Sequence, residues 1–180
     1  MPNANEIPEV ARVSAVPHGT PFLMKASDAE IITVGASTIH LLADHDDTSG
    51  AVNANRTLLD RGTDGPPPHF HRQSSEIFFV LSGALQALAG ERVVTLEHGD
   101  FLSIPPDVPH SFWTPDDSSA DVLILFAPGI EERFAYFRLG ERVLKGQASP
   151  EEILDSQERF DNHFVESQVW AARRARSEGD

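Results

Sequence analysis

Cysteine is absent from this sequence, and basic residues are scarce. Without cysteine the chain cannot contain a disulfide scaffold, a cysteine-ligated zinc or iron–sulfur site, or a thiol nucleophile. Only 14 lysine and arginine residues stand against 28 aspartate and glutamate residues, which gives a formal net charge of −14. A surface this acidic repels nucleic-acid phosphates and anionic lipids, so we expect neither a nucleic acid nor a membrane among the partners.

Long apolar runs are missing as well. No stretch approaches the roughly 20 apolar residues of a membrane span, and the proline-containing N-terminus lacks the apolar segment of a signal peptide. We therefore expect a cytoplasmic protein. With 180 residues and a hydrophobic content of 40%, the chain is long enough to form one domain with a core of its own.

Short β-rich runs separated by glycine and proline turns fill most of the chain. Their spacing of about ten residues is typical of an antiparallel sandwich or barrel. The sequence predicts an N-terminal arm over residues 1–20, a mainly β domain over residues 21–128 and a C-terminal helical extension over residues 129–180. The predicted strands are Glu30–Val34, Thr38–Leu42, Val52–Leu59, Glu76–Leu81, Leu85–Ala89, Arg92–Leu96, Phe101–Ile104, His110–Thr114 and Val122–Ala127.

After the β domain, the spacing of apolar residues changes to that of a helix. Ile130, Phe134 and Phe137 lie on one helical face, which predicts a helix over Glu131–Leu139. A second helix is predicted to begin at Ser149, because the sequence Ser-Pro-Glu-Glu is a capping box with proline in the first turn. Two C-terminal helices are therefore expected.

Three histidines and one glutamate have a spacing that suits a metal site. His69 and His71 are alternate residues, so on a β-strand they share one face. Glu76 follows a short turn, and His110 opens a later strand behind a proline-rich turn. Three neutral imidazoles and a carboxylate suit a divalent first-row transition metal and leave open coordination positions. Each residue alone has an ordinary structural explanation, but burying all four without a partner would be costly.

These residues resemble the two sequence motifs of the cupin superfamily. The first motif is matched by Gly62, Gly65, Pro68, His69, Phe70, His71, Glu76 and Gly83. The second is matched by the segment from Gly99 to Pro105 and by His110. The chain departs from the second motif at Asp107 and Thr114, where the family usually has glycine and asparagine. The resemblance implies a double-stranded β-helix, the cupin jelly-roll barrel. It also implies frequent homodimerisation and a metal ion bound by His69, His71, Glu76 and His110.

Within the cupins, the chain is similar to the single-domain quercetin 2,3-dioxygenase-like group. The similarity covers the block from Pro66 to Gly83 and the sequence Ala127-Pro128-Gly129 before a phenylalanine-rich helix. It implies a dioxygenase that cleaves a flavonol or another enolic or aromatic small molecule with O2. The implied cofactor is one divalent ion of iron, nickel, manganese, cobalt or zinc, and Glu76 is the implied general base.

Six residues are predicted to line a substrate pocket. They are Phe78, Val80, Ser103, Phe112, Asn53 and Asn55. The first four share strand parity with the ligands or lie close to them in the motifs. The two asparagines alternate with Thr57 on one strand face, and this face can point either into the cavity or into water. The phenylalanines also suit an ordinary barrel core.

Other functions fit the same residues. A metal-dependent isomerase or cyclase would use the ion as a Lewis acid without O2, and a non-catalytic cupin would bind a small molecule or a metal without turnover. Sugar-phosphate isomerases of this fold need a cationic phosphate site, which the net charge of −14 disfavours. A barrel that binds no metal is also compatible with the sequence. Whether the C-terminal helices cap the barrel or form a dimer contact is left open.

Overall fold

The structure, a computed structural model, describes residue 19 and residues 21–177. The strands in these residues are β1 (Glu30–Val34), β2 (Ser37–Ala43), β3 (Asn53–Leu59), β4 (His69–Phe70), β5 (Ser75–Ala89), β6 (Arg92–Glu97), β7 (Phe101–Ile104), β8 (His110–Trp113), β9 (Ala120–Ala127) and β10 (His163–Phe164). The helices are α1 (Arg133–Leu144), α2 (Pro150–Asp155) and α3 (Gln168–Ser177). The predicted arm over residues 1–20 lies outside the described residues except for residue 19.

The strands pair antiparallel in the order β1-β2-β3-β9-β5-β8-β4-β10, and β6 and β7 pair with β5 beside this path. β5 is the longest strand, with 15 residues. Its first half pairs with β7 and β9, and its second half pairs with β6 and β8. The mainly β architecture followed by C-terminal helices confirms the predicted fold class.

One strand prediction was wrong. The segments Glu76–Leu81 and Leu85–Ala89 were expected to be two strands with a turn at Gly83, but they form the single strand β5. The pairing of β5 with β9 shifts register between Val80 and Ser82, and Gly83 has a φ of 76°. A Cβ at Gly83 would collide with the carbonyl oxygen of Ser119. The glycine therefore permits a bulge that bends the strand without ending it.

The apolar core is formed by the buried side chains on the inner face of the sheet. Along β9, every second residue is buried, including Val122, Ile124 and Phe126. On β5, Phe78 and Val80 pack into the same cluster. Burial of a side chain of this size stabilises the fold by about 1.5–3 kcal/mol, so this period-two pattern fixes which residues of each strand face inward.

Helix α1 packs on the β1–β2 end of the sheet. Phe134 is buried in one cluster with Ile32, Ile39 and Leu41. The helix begins and ends later than predicted, and it continues through Gly140. One helical glycine costs about 1 kcal/mol, which the burial of Phe134 and its neighbours offsets.

The second and third helices differ in how well the sequence predicted them. The capping box at Ser149 is confirmed, with Glu152 as its second member. Helix α3 was missed, because its polar sequence shows no apolar period. It is attached instead through Trp170, whose ring lies 5.4 Å from that of Trp113, and through Arg173, which stacks over both indoles. None of the helices in residues 21–177 is long and apolar enough to cross a bilayer.

Candidate metal centre

The four predicted ligands lie together in the interior of the barrel. His69 on β4 pairs directly with His110 at the start of β8. His71 directly follows β4, and Glu76 is the second residue of β5. All four side chains are buried, with at most 3% of their surface exposed. Their candidate ligand atoms lie within 4.8 Å of one another.

The carboxylate of Glu76 is at the centre of this group. Its Oε2 lies 2.6 Å from Nε2 of His110, 3.2 Å from Nε2 of His71 and 3.8 Å from Nε2 of His69. Donor atoms that share one transition-metal ion at ~2.1 Å are roughly 3–4 Å apart. The separations to His71 and His69 are in this range, and the separation to His110 is shorter.

The remaining ring nitrogens determine which way the imidazoles face. Nδ1 of His69 lies 2.9 Å from the Pro67 carbonyl oxygen, and Nδ1 of His110 lies 2.8 Å from the Val108 carbonyl oxygen. A carbonyl oxygen only accepts hydrogen bonds, so each Nδ1 carries the proton and donates it. In the neutral rings, the lone pair of Nε2 then points toward Glu76.

His71 is oriented by a residue far away in the chain. Its Nδ1 donates to the carbonyl oxygen of Asp161, at 2.5 Å. The Asp161 carboxylate accepts from the backbone N–H groups of Arg72 and Gln73, at 2.8 and 2.9 Å. Asp161 therefore holds the segment after β4 through both its backbone carbonyl and its side-chain carboxylate. No sequence signal indicates this role, because a backbone carbonyl acceptor has no residue-type signature.

Burial and the mutual contacts shift the pKa values of these groups. Burial lowers the pKa of His69 to about 3 and also lowers the pKa of His71. Burial alone would raise the pKa of Glu76, but its close contacts with the rings of His110, His69 and His71 hold it well below its ordinary value. These shifts favour an ionised Glu76 beside neutral rings of His69 and His71.

This donor set fits a divalent metal ion. Three Nε2 lone pairs and one carboxylate oxygen converge in a space from which water is largely excluded, and neutral rings in this tautomer place no proton between them. A cation would neutralise the negative charge and accept all four lone pairs, as mixed nitrogen and oxygen sites for first-row metals do. The group could therefore hold a transition metal.

The two departures from the second cupin motif keep the local geometry. Asp107 has a φ of 62°, the left-handed conformation that glycine adopts most easily, and its N–H donates to the His71 carbonyl oxygen at 2.8 Å. Thr114 is buried, donates to the Asp60 carbonyl oxygen and accepts from the Thr63 N–H. Both departures thus support the loops around the site.

A cavity of about 740 Å³ opens beside the candidate metal centre. His69 and Glu76 are the two predicted ligands in its lining. The rest of the wall is mostly apolar and includes residues from α1, α2 and β9, so the C-terminal extension covers this side of the barrel. Among the lining residues are Ile39, Asn55, Thr57, Phe112, Ile124, Phe126, Arg133, Tyr136, Phe137, Leu154, Asn162 and Phe164.

Of the predicted pocket residues, Asn55 and Phe112 lie in this lining. Phe78 lies behind the wall, because its ring packs edge-on against Phe112 at 5.4 Å. Val80 is fully buried in the apolar core.

Two more predicted pocket residues lie elsewhere. The Asn53 side chain is used structurally: it donates to the Ile130 carbonyl oxygen at 3.1 Å and accepts from the Ile130 N–H at 2.6 Å. Ser103 is exposed, because it pairs with Ile77, which has the opposite strand parity to Glu76.

Parts of this chain are similar to a known protein family and to a curated protein. The cupin domain family matches residues 55–126, a segment that contains all four candidate ligands. Among curated proteins, the chain is 24% identical over 130 residues to quercetin 2,3-dioxygenase of Bacillus subtilis. The match covers 70% of this chain and 37% of that enzyme, so the chain spans well under half of the relative's length.

Solved structures with a similar fold include three from bacteria, each with a TM-score of 0.52. The polyketide cyclase RemF of Streptomyces resistomycificus is 20% identical, with 60% of this chain and 80% of that chain covered. An RmlC-like cupin of Shewanella frigidimarina is 21% identical, with 64% and 96% covered. The Streptomyces nucleoside dehydratase Pac13 is 18% identical, with 63% and 88% covered. The sequence motifs and the match of residues 55–126 to the cupin domain family agree, and the fold is similar to that of a solved cupin.

Proposed function

We propose that this protein is a metal-dependent cupin enzyme, and more specifically a dioxygenase that cleaves an enolic or aromatic small molecule with O2. The observation that carries the proposal is the convergence of three oriented imidazole nitrogens and one carboxylate at the wall of an apolar cavity. The similarity to quercetin 2,3-dioxygenase of Bacillus subtilis supports the choice of reaction. A flavonol is the first substrate class to test.

In this proposal, His69, His71, Glu76 and His110 hold one divalent ion of iron, nickel, manganese, cobalt or zinc. Such an ion, when bound, supplies a Lewis acid for an enol or phenol oxygen and, where it is redox-active, electron transfer with O2. The chain's own contribution begins with the backbone carbonyls of Pro67, Val108 and Asp161. They fix the ring orientations before the ion arrives, which reduces the cost of ordering on binding.

Glu76 is the proposed general base. It lines the cavity, and its low pKa keeps it ionised at neutral pH, so its oxygen can accept the proton of a substrate hydroxyl placed against it. Phe112 and Phe126 line the same space and offer flat faces to an aromatic substrate. The apolar wall excludes water, which strengthens every polar contact at the site.

Oxygen uptake by the reconstituted protein tests the proposal. The metal-free protein is loaded with each candidate metal in turn and given quercetin and simpler enols at an oxygen electrode. We expect uptake that requires metal and falls at least about 100-fold in Glu76→Gln, because a positioned general base contributes about that much or more. Ser103→Ala is the matched control, since Ser103 is exposed, and its rate should equal that of the wild type.

The same assay separates the other functions. Metal-dependent conversion of substrate without oxygen uptake would replace the dioxygenase proposal by an isomerase or cyclase. Tight binding of the small molecule without any conversion would indicate a non-catalytic cupin. Uptake that is unchanged in Glu76→Gln would remove that residue from the role of base.

A further inference from the structure

A buried arginine lies in the cavity wall without an acidic partner. Arg133 is 3% exposed and stacks over the rings of Phe126, Tyr136 and Phe137, with its guanidinium carbon 4.2, 4.8 and 5.0 Å from the ring centroids. Within the described residues, no carboxylate lies within ion-pair distance of it. Arginine keeps its charge in proteins, so this is a buried cation whose partners in the described residues are ring faces and the side-chain oxygen of Asn162. Unpaired buried charge is costly.

Three polar atoms of the cavity wall lack hydrogen-bond partners. They are Nε of Arg133, Nδ2 of Asn162 and Oδ1 of Asn55. All three residues line the same cavity. Buried polar atoms are nearly always paired, so three orphans facing one space indicate that a ligand supplies the partners.

The three unpaired atoms include both hydrogen-bond donors and an acceptor, and they define which polar groups the ligand must carry. Arg133 and Asn162 are in contact with each other, since the arginine donates to Oδ1 of Asn162 at 3.4 Å. Their two orphans are both donors, so an acceptor group with negative charge complements them. The orphan on Asn55 is an acceptor, because its Nδ2 already donates to Thr57. A hydroxyl or N–H group of the ligand complements that atom.

The acidic residues that act on the charge of Arg133 are Glu76, Asp161 and Asp44, and all three are already engaged. The carboxylate of Glu76 contacts the three imidazoles. The carboxylate of Asp161 accepts two backbone N–H groups. The carboxylate of Asp44 accepts from the side chain of Asn53 and from a backbone N–H. Stacking on rings leaves the in-plane N–H groups of the guanidinium unused. The acceptor for the orphaned Nε–H therefore comes from outside the chain.

The arginine is close to the candidate metal centre. A single side chain, Phe126, separates it from His71: the rings of His71 and Phe126 lie 5.3 Å apart, and the guanidinium stacks on Phe126. A molecule the size of one substituted aromatic ring can reach both places. The cavity of about 740 Å³ accommodates a molecule of that size.

We propose that Arg133 and Asn162 form a carboxylate-binding subsite, so that the substrate class is an enolic or phenolic acid whose hydroxyl end faces Glu76 and whose carboxylate faces Arg133. A carboxylate accepts from both orphaned donors, and its charge pairs with the buried cation. Asn55 accepts a hydrogen bond from a hydroxyl of the same molecule. This inference rests on the proposed function for the identity of the site, and it adds the specificity for an acid.

Matched ligands test the subsite by binding rather than turnover. The full-length protein is loaded with Zn(II), which is redox-inactive, and titrated calorimetrically with 3,4-dihydroxybenzoate and with its methyl ester. Both carry the same diol, and only the acid carries the charge. We expect the acid to bind at least roughly tenfold more tightly, as a charged hydrogen-bonded pair allows. The net charge of −14 opposes this preference, so general attraction cannot produce it.

Variants test which residues cause the preference for the acid over the ester. In Arg133→Gln, the ratio of acid affinity to ester affinity should fall to about one, and circular dichroism reports whether the variant is folded. Arg133→Lys should keep part of the preference, and Asn162→Leu should reduce it. Arg92→Gln is the control, because Arg92 is exposed on β6, and it should leave the preference unchanged.

The outcomes separate this inference from the proposed function. Equal affinity for acid and ester in the wild type overturns the subsite, and so does a full preference that survives in Arg133→Gln. If that variant does not fold, the wild-type comparison and Asn162→Leu decide. An acid preference combined with affinities of both ligands that do not change when Zn(II) is removed keeps the subsite but counts against the metal-dependent function. Failure of both ligands to bind overturns the subsite.

Discussion

Two parts of the chain orient the three imidazoles by different means. In the barrel, His69 and His110 each donate a hydrogen bond to the carbonyl oxygen two residues earlier in the sequence, that of Pro67 or Val108. In the C-terminal extension, Asp161 supplies the carbonyl oxygen for His71 from a distance of 90 residues in sequence. Two rings are thus oriented by local turns, and the third depends on correct docking of the extension.

The C-terminal extension contributes to the site in two ways. It orients one ligand through Asp161, and it also brings Arg133 and Asn162 to the cavity wall. The barrel alone therefore contains the donor atoms, whereas the extension fixes one of them and shapes the space beside them. Changes in the barrel should act mainly on whether the metal binds. Changes in the extension should act on how tightly the metal binds and on which substrate is preferred.

Removing a ligand should have the largest effect. In His71→Ala and His110→Ala, we expect metal content after dialysis to fall from about one ion per chain to near zero, because each loses one of four donors from a site that needs all of them. Activity should be lost with the metal. Inductively coupled plasma mass spectrometry measures the metal content. His98→Ala, which changes an exposed histidine, is the control. Stoichiometric metal in both ligand variants would show that the ligand set is wrong.

Glu76→Gln should separate metal binding from proton transfer. The amide oxygen still coordinates weakly, so we expect part of the metal to remain. The rate per bound metal should still fall at least about 100-fold, because the amide does not accept the substrate proton. Rates normalised to metal content, measured beside Ser103→Ala, check this. A normalised rate close to that of the wild type would contradict the base role.

Changing Asp161 tests the contribution of the extension. Asp161→Ala keeps the carbonyl oxygen that binds His71 but leaves the N–H groups of Arg72 and Gln73 without their carboxylate acceptor. We expect metal affinity to fall about 10- to 100-fold, as is typical when a group that orients a ligand is lost. Competition with a chelator measures the affinity. Asp155→Ala, at the exposed end of α2, is the control, and equal affinities in the two variants would argue against a role for the extension.

Acid should destabilise the metal-free protein. Burial holds the pKa of folded His69 at about 3 against an ordinary value of 6.5, so between these values only the unfolded chain binds that proton. The lowered pKa of Glu76 acts in the same direction at lower pH, since its contribution is lost once the unfolded carboxylate protonates. The free energy of unfolding should fall below about pH 6.5, by up to about 1.4 kcal/mol per pH unit for each group. Urea melts across this range measure the slope, and a flat profile would contradict the assignment.

The smallest effect is expected at the surface of the extension. Arg138 on α1 forms an ion pair with Glu30 on β1, at 2.6 Å, and both side chains are about half exposed. Arg138→Gln should cost less than about 1 kcal/mol of unfolding free energy, because exposed pairs gain little. Chemical denaturation measures it. A much larger loss would mean that this pair, rather than burial of Phe134, attaches the helix to the barrel.

The sequence predicted what depends on local pattern. Short β-rich runs between glycine and proline turns predicted most strands, and the capping box predicted the start of α2. The motif spacing identified His69, His71, Glu76 and His110 as candidates. Strand parity was less useful for the pocket. It identifies a face but not the depth along the barrel, so Phe78 and Val80 lie in the core rather than in the cavity wall.

The remaining features depend on contacts between distant parts of the chain. Arg133 lies in a helical segment whose apolar period is clear, but nothing in that period shows that its guanidinium is buried. The role of Asp161 depends on a backbone carbonyl and a left-handed φ of 47°, neither of which has a sequence signature. Gly83 was identified as a special position but was interpreted as a turn, because a bulge and a turn have the same glycine signal.

Anomalous diffraction tests the central claim most directly. A crystal of the protein grown with Mn(II) or Fe(II) is measured on both sides of the metal's absorption edge. We expect one strong anomalous peak within coordinating distance of Nε2 of His69, His71 and His110 and of the Glu76 carboxylate. No peak at that position, or a single peak at another part of the chain such as the acidic loop around Asp46, would contradict it.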